Sequence, residues 1–196
     1  VVNMSSSSNG MQNMSVIRIT DPEIKEKLAE NGNQAYMARA TELWIFIVDL
    51  KRNYEIAREL GLENDNIISF DKFIQGFTDA IIAAQNLTIA VESLGLGANY
   101  FGNIHNDTKK VIELLGMPKL TYPAVGVGFG VPNQDPQIKP RLDINLKTFE
   151  NSYKTYDSYL EMIKAYDEEM TTYYDLRDSG RKSESFSSQI PKKQGY

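Results

Sequence analysis

DKFIQGFTDAIIAAQNLTIAVESLGLGANYFGN, residues 71–103, carries the densest structural signal in the chain. Phe73, Phe77, Ala80, Ile81, Ala84, Leu87, Val91 and Leu94 recur at steps of three and four, the spacing that lines up side chains on one face of a helix. The pattern predicts a helix over residues 71–94, with Gly95 free to take the left-handed backbone that stops it. Ile74, Ile82 and Ile89 fall off the stripe, so the helix is expected inside a large core or against another subunit. Beyond the stop, Gly95-Leu96-Gly97 and Tyr100-Phe101-Gly102-Asn103 set bare backbone beside aromatic side chains. Such a stretch lets main chain approach a flat ring, and it reads equally as a turn followed by two core aromatics.

Working towards the N-terminus, residues 43–50 (LWIFIVDL) form a nearly continuous run of branched and aromatic residues and read as a buried strand. A charged helix is expected at 53–60, and a short one at 34–39. Residues 14–20 (MSVIRIT) alternate enough for another strand. Asp21-Pro22 supplies a cap and a first-turn proline for a polar helix running to about residue 30. The first 13 residues, rich in Ser, Asn and Met, read as a flexible terminus.

Towards the C-terminus, the pattern predicts a helix at 107–115 and a glycine-rich strand at 123–131. Residues 133–141, with Pro132 before them and Pro136 and Pro140 inside, are expected to lack regular structure. A long helix is expected at 158–176, and residues 178–196 are polar and basic. Interleaved strands and helices favour an α/β or α+β fold.

Composition narrows the chemistry. The 196 residues fit one domain, or one subunit that completes its core with a partner. A net charge of −5 argues against a general nucleic-acid binder, which needs a basic face against phosphates. The absence of cysteine removes disulfides, thiolate metal sites and a cysteine nucleophile. With His105 as the single histidine, a histidine metal cluster or a Ser-His-Asp triad is not expected, and no metal site is assigned. No apolar run reaches the roughly 20 residues that span a bilayer, and no signal peptide is visible, so the default expectation is cytoplasmic. What remains is chemistry that a bound organic cofactor performs.

Individual motifs each have two readings. Gly126-Val127-Gly128-Phe129-Gly130 looks like a dinucleotide fingerprint, but Val131-Pro132 follows where that motif must open a helix. A glycine strand with something packed closely over it is the better reading. Lys139-Pro140-Arg141 places two cations on one side of an extended segment, suited to clamping a phosphate or simply solvated. Arg177, Arg181 and Lys182 cluster where the last expected helix ends. They complement its dipole or seat an extra phosphate. His105 reads as a loop histidine.

Taken together, the order and wording of these segments say more. Ala84-Gln85-Asn86-Leu87, Ala90-Val91-Glu92-Ser93-Leu94-Gly95-Leu96-Gly97 and Tyr100-Phe101-Gly102-Asn103-Ile104 resemble the central helix and following loop of the nitroreductase/flavin reductase family. Ile138-Lys139-Pro140-Arg141-Leu142, after a Gly-x-Gly strand and a Pro-Asn-Gln-Asp-Pro loop, is similar to its NADPH-preferring, oxygen-insensitive branch. The Ser5–Ser8 run with Gln12, Val16-Ile17-Arg18-Ile19-Thr20-Asp21, Glu150-Asn151-Ser152-Tyr153 and Tyr173-Tyr174-x-x-Arg177 match the same branch. The resemblance spans roughly residues 5–186.

The resemblance implies an α+β nitroreductase-like fold, a mostly antiparallel sheet flanked by helices in an intertwined homodimer. It implies FMN as cofactor and NADPH as co-substrate. Lys139 and Arg141 would hold the FMN phosphate, and Tyr100, Phe101, Gly102 and Asn103 would lie along the flavin. Gln34 would bond the ring or its ribityl chain, and Ser7, with Ser6 as its neighbouring alternative, would add a further contact. Arg177, Arg181 and Lys182 would receive the 2′-phosphate of NADPH. The family's opening helix and Arg-Ser-x-Arg segment have no counterpart ahead of the serine run. The expectation is an FMN-binding domain over 1–176, without that segment, and a shortened basic arm over 177–196.

The chemistry so implied is ping-pong hydride transfer from NADPH through flavin to a nitroaromatic, quinone, azo compound or free flavin. No side-chain acid or base is obligatory, so no catalytic residue is assigned. Two alternatives keep the fold without the turnover: a non-catalytic flavin-binding relative, and a ligand-free structural fragment.

Overall fold

Four strands, β1 (Met14–Arg18), β2 (Glu42–Asp49), β3 (Gly97–Phe101) and β4 (Thr121–Gly130), form an antiparallel sheet in the order β1-β2-β4-β3. The structure is a computed structural model that describes residues 1–62, 65–175 and 181–195. It divides into two units, Val1–Pro132 and Asn133–Tyr196, and the sheet belongs to the first. The expected boundary after residue 176 falls among residues outside those described.

Four helices accompany the sheet: α1 (Pro22–Asn31), α2 (Lys51–Glu59), α3 (Phe70–Ser93) and α4 (Thr108–Leu114). Central strand β2 explains the unbroken apolar run. Leu43, Ile45 and Ile47 enter a cluster with Leu28 of α1, Met37, Phe101 and Val111 of α4. Phe46, on the opposite face, enters a second cluster with Ala80, Ala84, Leu87 and Val91 of α3. Successive strand residues point to opposite faces, so a strand covered on both sides has no position left for a polar residue.

Helix α3 starts where Ser69 accepts a bond from the Lys72 amide and ends ahead of Gly95, whose φ is +75°. Its buried positions are Gly76, Asp79, Ala80, Ala83, Ala84, Leu87, Thr88 and Val91. Ile81, expected on the buried stripe, is 37% exposed, because the small residues Gly76, Ala80, Ala83 and Ala84 form the face that fits the sheet. Gly76 lets the helix come close: a Cβ there would sit 2.7 Å from Val48 Cγ1 and 2.9 Å from the Asn13 carbonyl.

In the second unit, residues 133–143 have no regular structure, as the prolines require. Helix α5 (Tyr159–Met170) stops earlier than expected. Thr171 and Thr172 turn their hydroxyls back onto the carbonyls of Glu168 and Glu169, and the β-preferring Thr-Thr-Tyr-Tyr run leads into strand β5 (Tyr174–Asp175). β5 pairs antiparallel with β6 (Arg181–Lys182). The tail expected to be merely polar contains α6 (Phe186–Gln194), capped by Ser185 and ended by Gly195 at φ +75°. Pro191 inside that helix is what hid it in the sequence.

Candidate functional site

The serine segment is not loose. The Ser8 amide donates to Asp79 Oδ1 at 2.7 Å and the Asn13 amide to Asp79 Oδ2 at 3.1 Å. Asn86 Nδ2 donates to Ser5 Oγ at 2.9 Å. Ser7 precedes a short 3-10 turn, Ser8–Gly10, without a side-chain capping bond, and its Oγ accepts a long bond of 3.4 Å from the Gln12 amide. Ser6 is exposed between these ties. Further along, Asn53 Nδ2 reaches the Met11 carbonyl and Asn13 Oδ1, each at 2.8 Å. The expected flexible terminus is thus a built loop on α3 and α2.

Strand β3 is the edge of the sheet, with β4 as its one partner among the described residues. Its outer edge therefore offers unpaired main-chain donors and acceptors. Tyr100 is fixed by its hydroxyl, which donates to Gln85 Oε1 at 3.1 Å and accepts from Thr88 Oγ1 at 3.0 Å. Helix α3 thereby holds both groups, since the neighbouring residues Gln85 and Asn86 tie Tyr100 and Ser5. Phe101 is 2% exposed and lies across β4: a Cβ on Gly128 would meet its Cε2 at 2.6 Å. The glycine-rich strand accommodates that ring, and the dinucleotide reading finds no helix after β4. Phe101 is a core residue, and its ring is closed off from any ligand.

Gly102 and Asn103 begin a 3-10 turn, Gly102–His105. Asn103 Nδ2 donates to the Gly32 carbonyl at 3.1 Å, while Asn103 Oδ1 and Asn31 Nδ2 are buried with no hydrogen-bond partner. This contact joins the Tyr100–Asn103 stretch to the loop that carries Gln34. Gln34 precedes the 3-10 turn Ala35–Met37, and its side chain makes no capping bond. His105 stacks on Tyr122 at 5.7 Å, with Nε2 3.0 Å from the Ala124 carbonyl, which is a structural position.

The two cations of the Lys-Pro-Arg loop lie in the second unit. Arg141 Nη1 donates to the carbonyls of Lys139 and Pro140 at 2.8 and 3.2 Å, bracing its own loop. Lys139 Nζ stands 5.8 Å from the centre of the Tyr173 ring. Arg177 lies outside the described residues, and the backbone of Arg181 and Lys182 forms β6. Among the described residues no group of His, Asp and Glu is arranged to hold a metal, and no helix is long and apolar enough to cross a membrane. Two surface concavities, about 380 and 450 Å³, open beside Met11 and Ile56 and beside Ile68 and Phe73. Neither is lined by Ser6, Ser7, Gln34, the Tyr100–Asn103 stretch, Lys139 or Arg141.

Profiles of the nitroreductase family and of its C-terminal domain match residues 71–131 and 139–196. An oxygen-insensitive NADPH nitroreductase from Salmonella typhimurium is 37% identical over 188 residues, covering 94% of this chain and 75% of that protein. The chain belongs to the nitroreductase family. Its fold agrees: the NfrA1 nitroreductase from B. subtilis matches with a TM-score of 0.90 at 34% identity, over 99% of this chain and 80% of that one. The NADPH:FMN oxidoreductase from Vibrio harveyi, complexed with NAD+, matches with a TM-score of 0.84 at 32% identity, over 100% and 78%.

Sequence reasoning missed the ties inside this nitroreductase fold. Asp79 was readable in principle, since a charge on the apolar face of a helix is rarely left buried without a task. The bonds of Gln85 and Thr88 to Tyr100 had no sequence signal, because they join residues of two different elements.

Proposed function

We propose that this nitroreductase is an FMN-dependent oxidoreductase that passes a hydride from NADPH to a small oxidised acceptor. The observation that carries the reading is the open edge of β3 running into Gly102 and Asn103, with the anchored serine segment on the same supporting helix. The donor chemistry fits FMN: main-chain N–H groups for the ring's polar edge, hydroxyls from Ser6 and Ser7, and Lys139 and Arg141 for a phosphate dianion. Asn103 Oδ1, buried and unpartnered, adds an acceptor beside the loop that carries Gln34. When bound, FMN supplies the two-electron relay between NADPH and the acceptor. The protein's own residues then position and polarise: donors along Tyr100–Asn103 favour negative charge on the ring, and the cations hold the phosphate. Arg177, Arg181 and Lys182 are the proposed seat for the 2′-phosphate of NADPH. Nitroaromatics, quinones, azo compounds and free flavin are the proposed acceptors.

The site is proposed to be completed by a second copy. Ile74 and Ile89 on α3 are 44% and 56% exposed, in line with Ile81, and Phe70 and Leu94 at its ends are exposed as well. A run of apolar residues on the outside of the longest helix fits burial against a partner. Replacing Arg141 with Ala is expected to weaken FMN binding about tenfold or more, through loss of charge-assisted bonds to phosphate. Unchanged flavin absorbance after purification of that variant would remove Arg141 from the site.

A further inference from the structure

We propose that Asp79 is a positioning residue for the flavin site, clamping the serine segment so that Ser6 and Ser7 are held ready for the cofactor. The inference rests on the FMN reading above. Asp79 is 2% exposed on the face of α3 that otherwise carries Ala80, Ala83 and Ala84. A carboxyl group persists there only if hydrogen bonds replace its water. Both oxygens are used, one by the Ser8 amide at 2.7 Å and one by the Asn13 amide at 3.1 Å. Neither bond belongs to a helix or a strand ladder. The carboxyl serves the loop.

The loop needs that restraint. Between the two clamped amides, Asn9, Gly10 and Gln12 have φ of +53°, +69° and +50°. Side chains other than glycine enter this region at a cost, and they stay only when their surroundings fix them. On the other side, Asn86 Nδ2 holds Ser5 Oγ at 2.9 Å. Asp79 and Asn86 are seven residues apart on α3, hence on nearly the same face. Ser6 and Ser7 therefore sit between two ties to one helix, and a cofactor meets donors whose ordering has already occurred.

The test uses the full chain with FMN, following flavin fluorescence quenching for affinity and hydrogen exchange over residues 5–13 for loop order. Asp79→Asn keeps the volume but turns an NH₂ group against a backbone N–H. The expected result is faster exchange at residues 8–13 and FMN affinity reduced about tenfold or more. In wild type Ser7→Ala should weaken FMN binding, and in the Asp79→Asn background it should add little, since the serine is already displaced. If Asp79→Asn does not fold, Asn86→Ala, which cuts the upstream tie from a half-buried position, carries the same comparison. Wild-type FMN affinity in the Asp79 variant would overturn the proposal, as would an equal effect of Ser7→Ala in both backgrounds. Wild type that binds no FMN would overturn the FMN reading and this inference together, so the two failures are told apart.

Discussion

Glu42 shows how single residues in the sheet are fixed. Arg18 Nε donates to its Oε2 at 2.7 Å and Trp44 Nε1 to the same oxygen at 3.0 Å, holding the carboxyl at about 2, well below its ordinary 4.5. A carboxyl depressed in the folded state stabilises it above the ordinary value, and the contribution fades as pH falls from about 4.5 towards 2. The pair is largely open to solvent, so its worth at neutral pH is small. Urea unfolding of wild type and Glu42→Gln should therefore show a small gap at pH 7 that narrows below pH 4. A gap independent of pH would contradict this role. Gly128 offers a larger effect: a methyl group would press on Phe101 Cε2 and on Ala40 Cβ at 3.0 Å. Gly128→Ala is expected to cost about 1–3 kcal/mol, read as a lower melting temperature. At this scale the sequence showed that something packs over the glycines, but only the register of β3 against β4 names Phe101.

Among the elements, those with strong local signals were legible. The 24-residue α3 announced itself by periodicity, and β2 by an apolar run too continuous for a half-exposed strand. Asp21, Ser69, Asp107 and Ser158 all cap helices, as their residue types allow. What failed depended on competition between local rules. Thr171-Thr172 ended α5 where polarity gave no reason to stop, and Pro191 concealed α6 although Ser185 and Gly195 bracket it. The seat of α3 on the sheet depends on Gly76. Alanine there would gain helix propensity of about 1 kcal/mol, yet must displace both Val48 and the Asn13 backbone. A net loss of about 1–2 kcal/mol is expected for Gly76→Ala in thermal unfolding, since the overpacking penalty outweighs the gain. A stabilised variant would mean that α3 does not press on the sheet at this point.

For the whole molecule, the candidate site was legible as a family pattern and not as a cavity. The residues selected for it from the sequence come from the serine segment, the edge strand and the stretch after residue 132, and each alone admits a plain structural reading. The exposed isoleucines of α3 make the oligomeric state a separate check: light scattering of the folded protein should give twice the chain mass, and a monomer would count against a shared site. The visible spectrum of purified protein supplied with FMN, recorded anaerobically before and after NADPH, tests the central claim most directly. The account predicts flavin bands that remain with the protein after desalting and bleach when NADPH is added. A colourless protein after desalting, or bands that NADPH leaves unchanged, would contradict it.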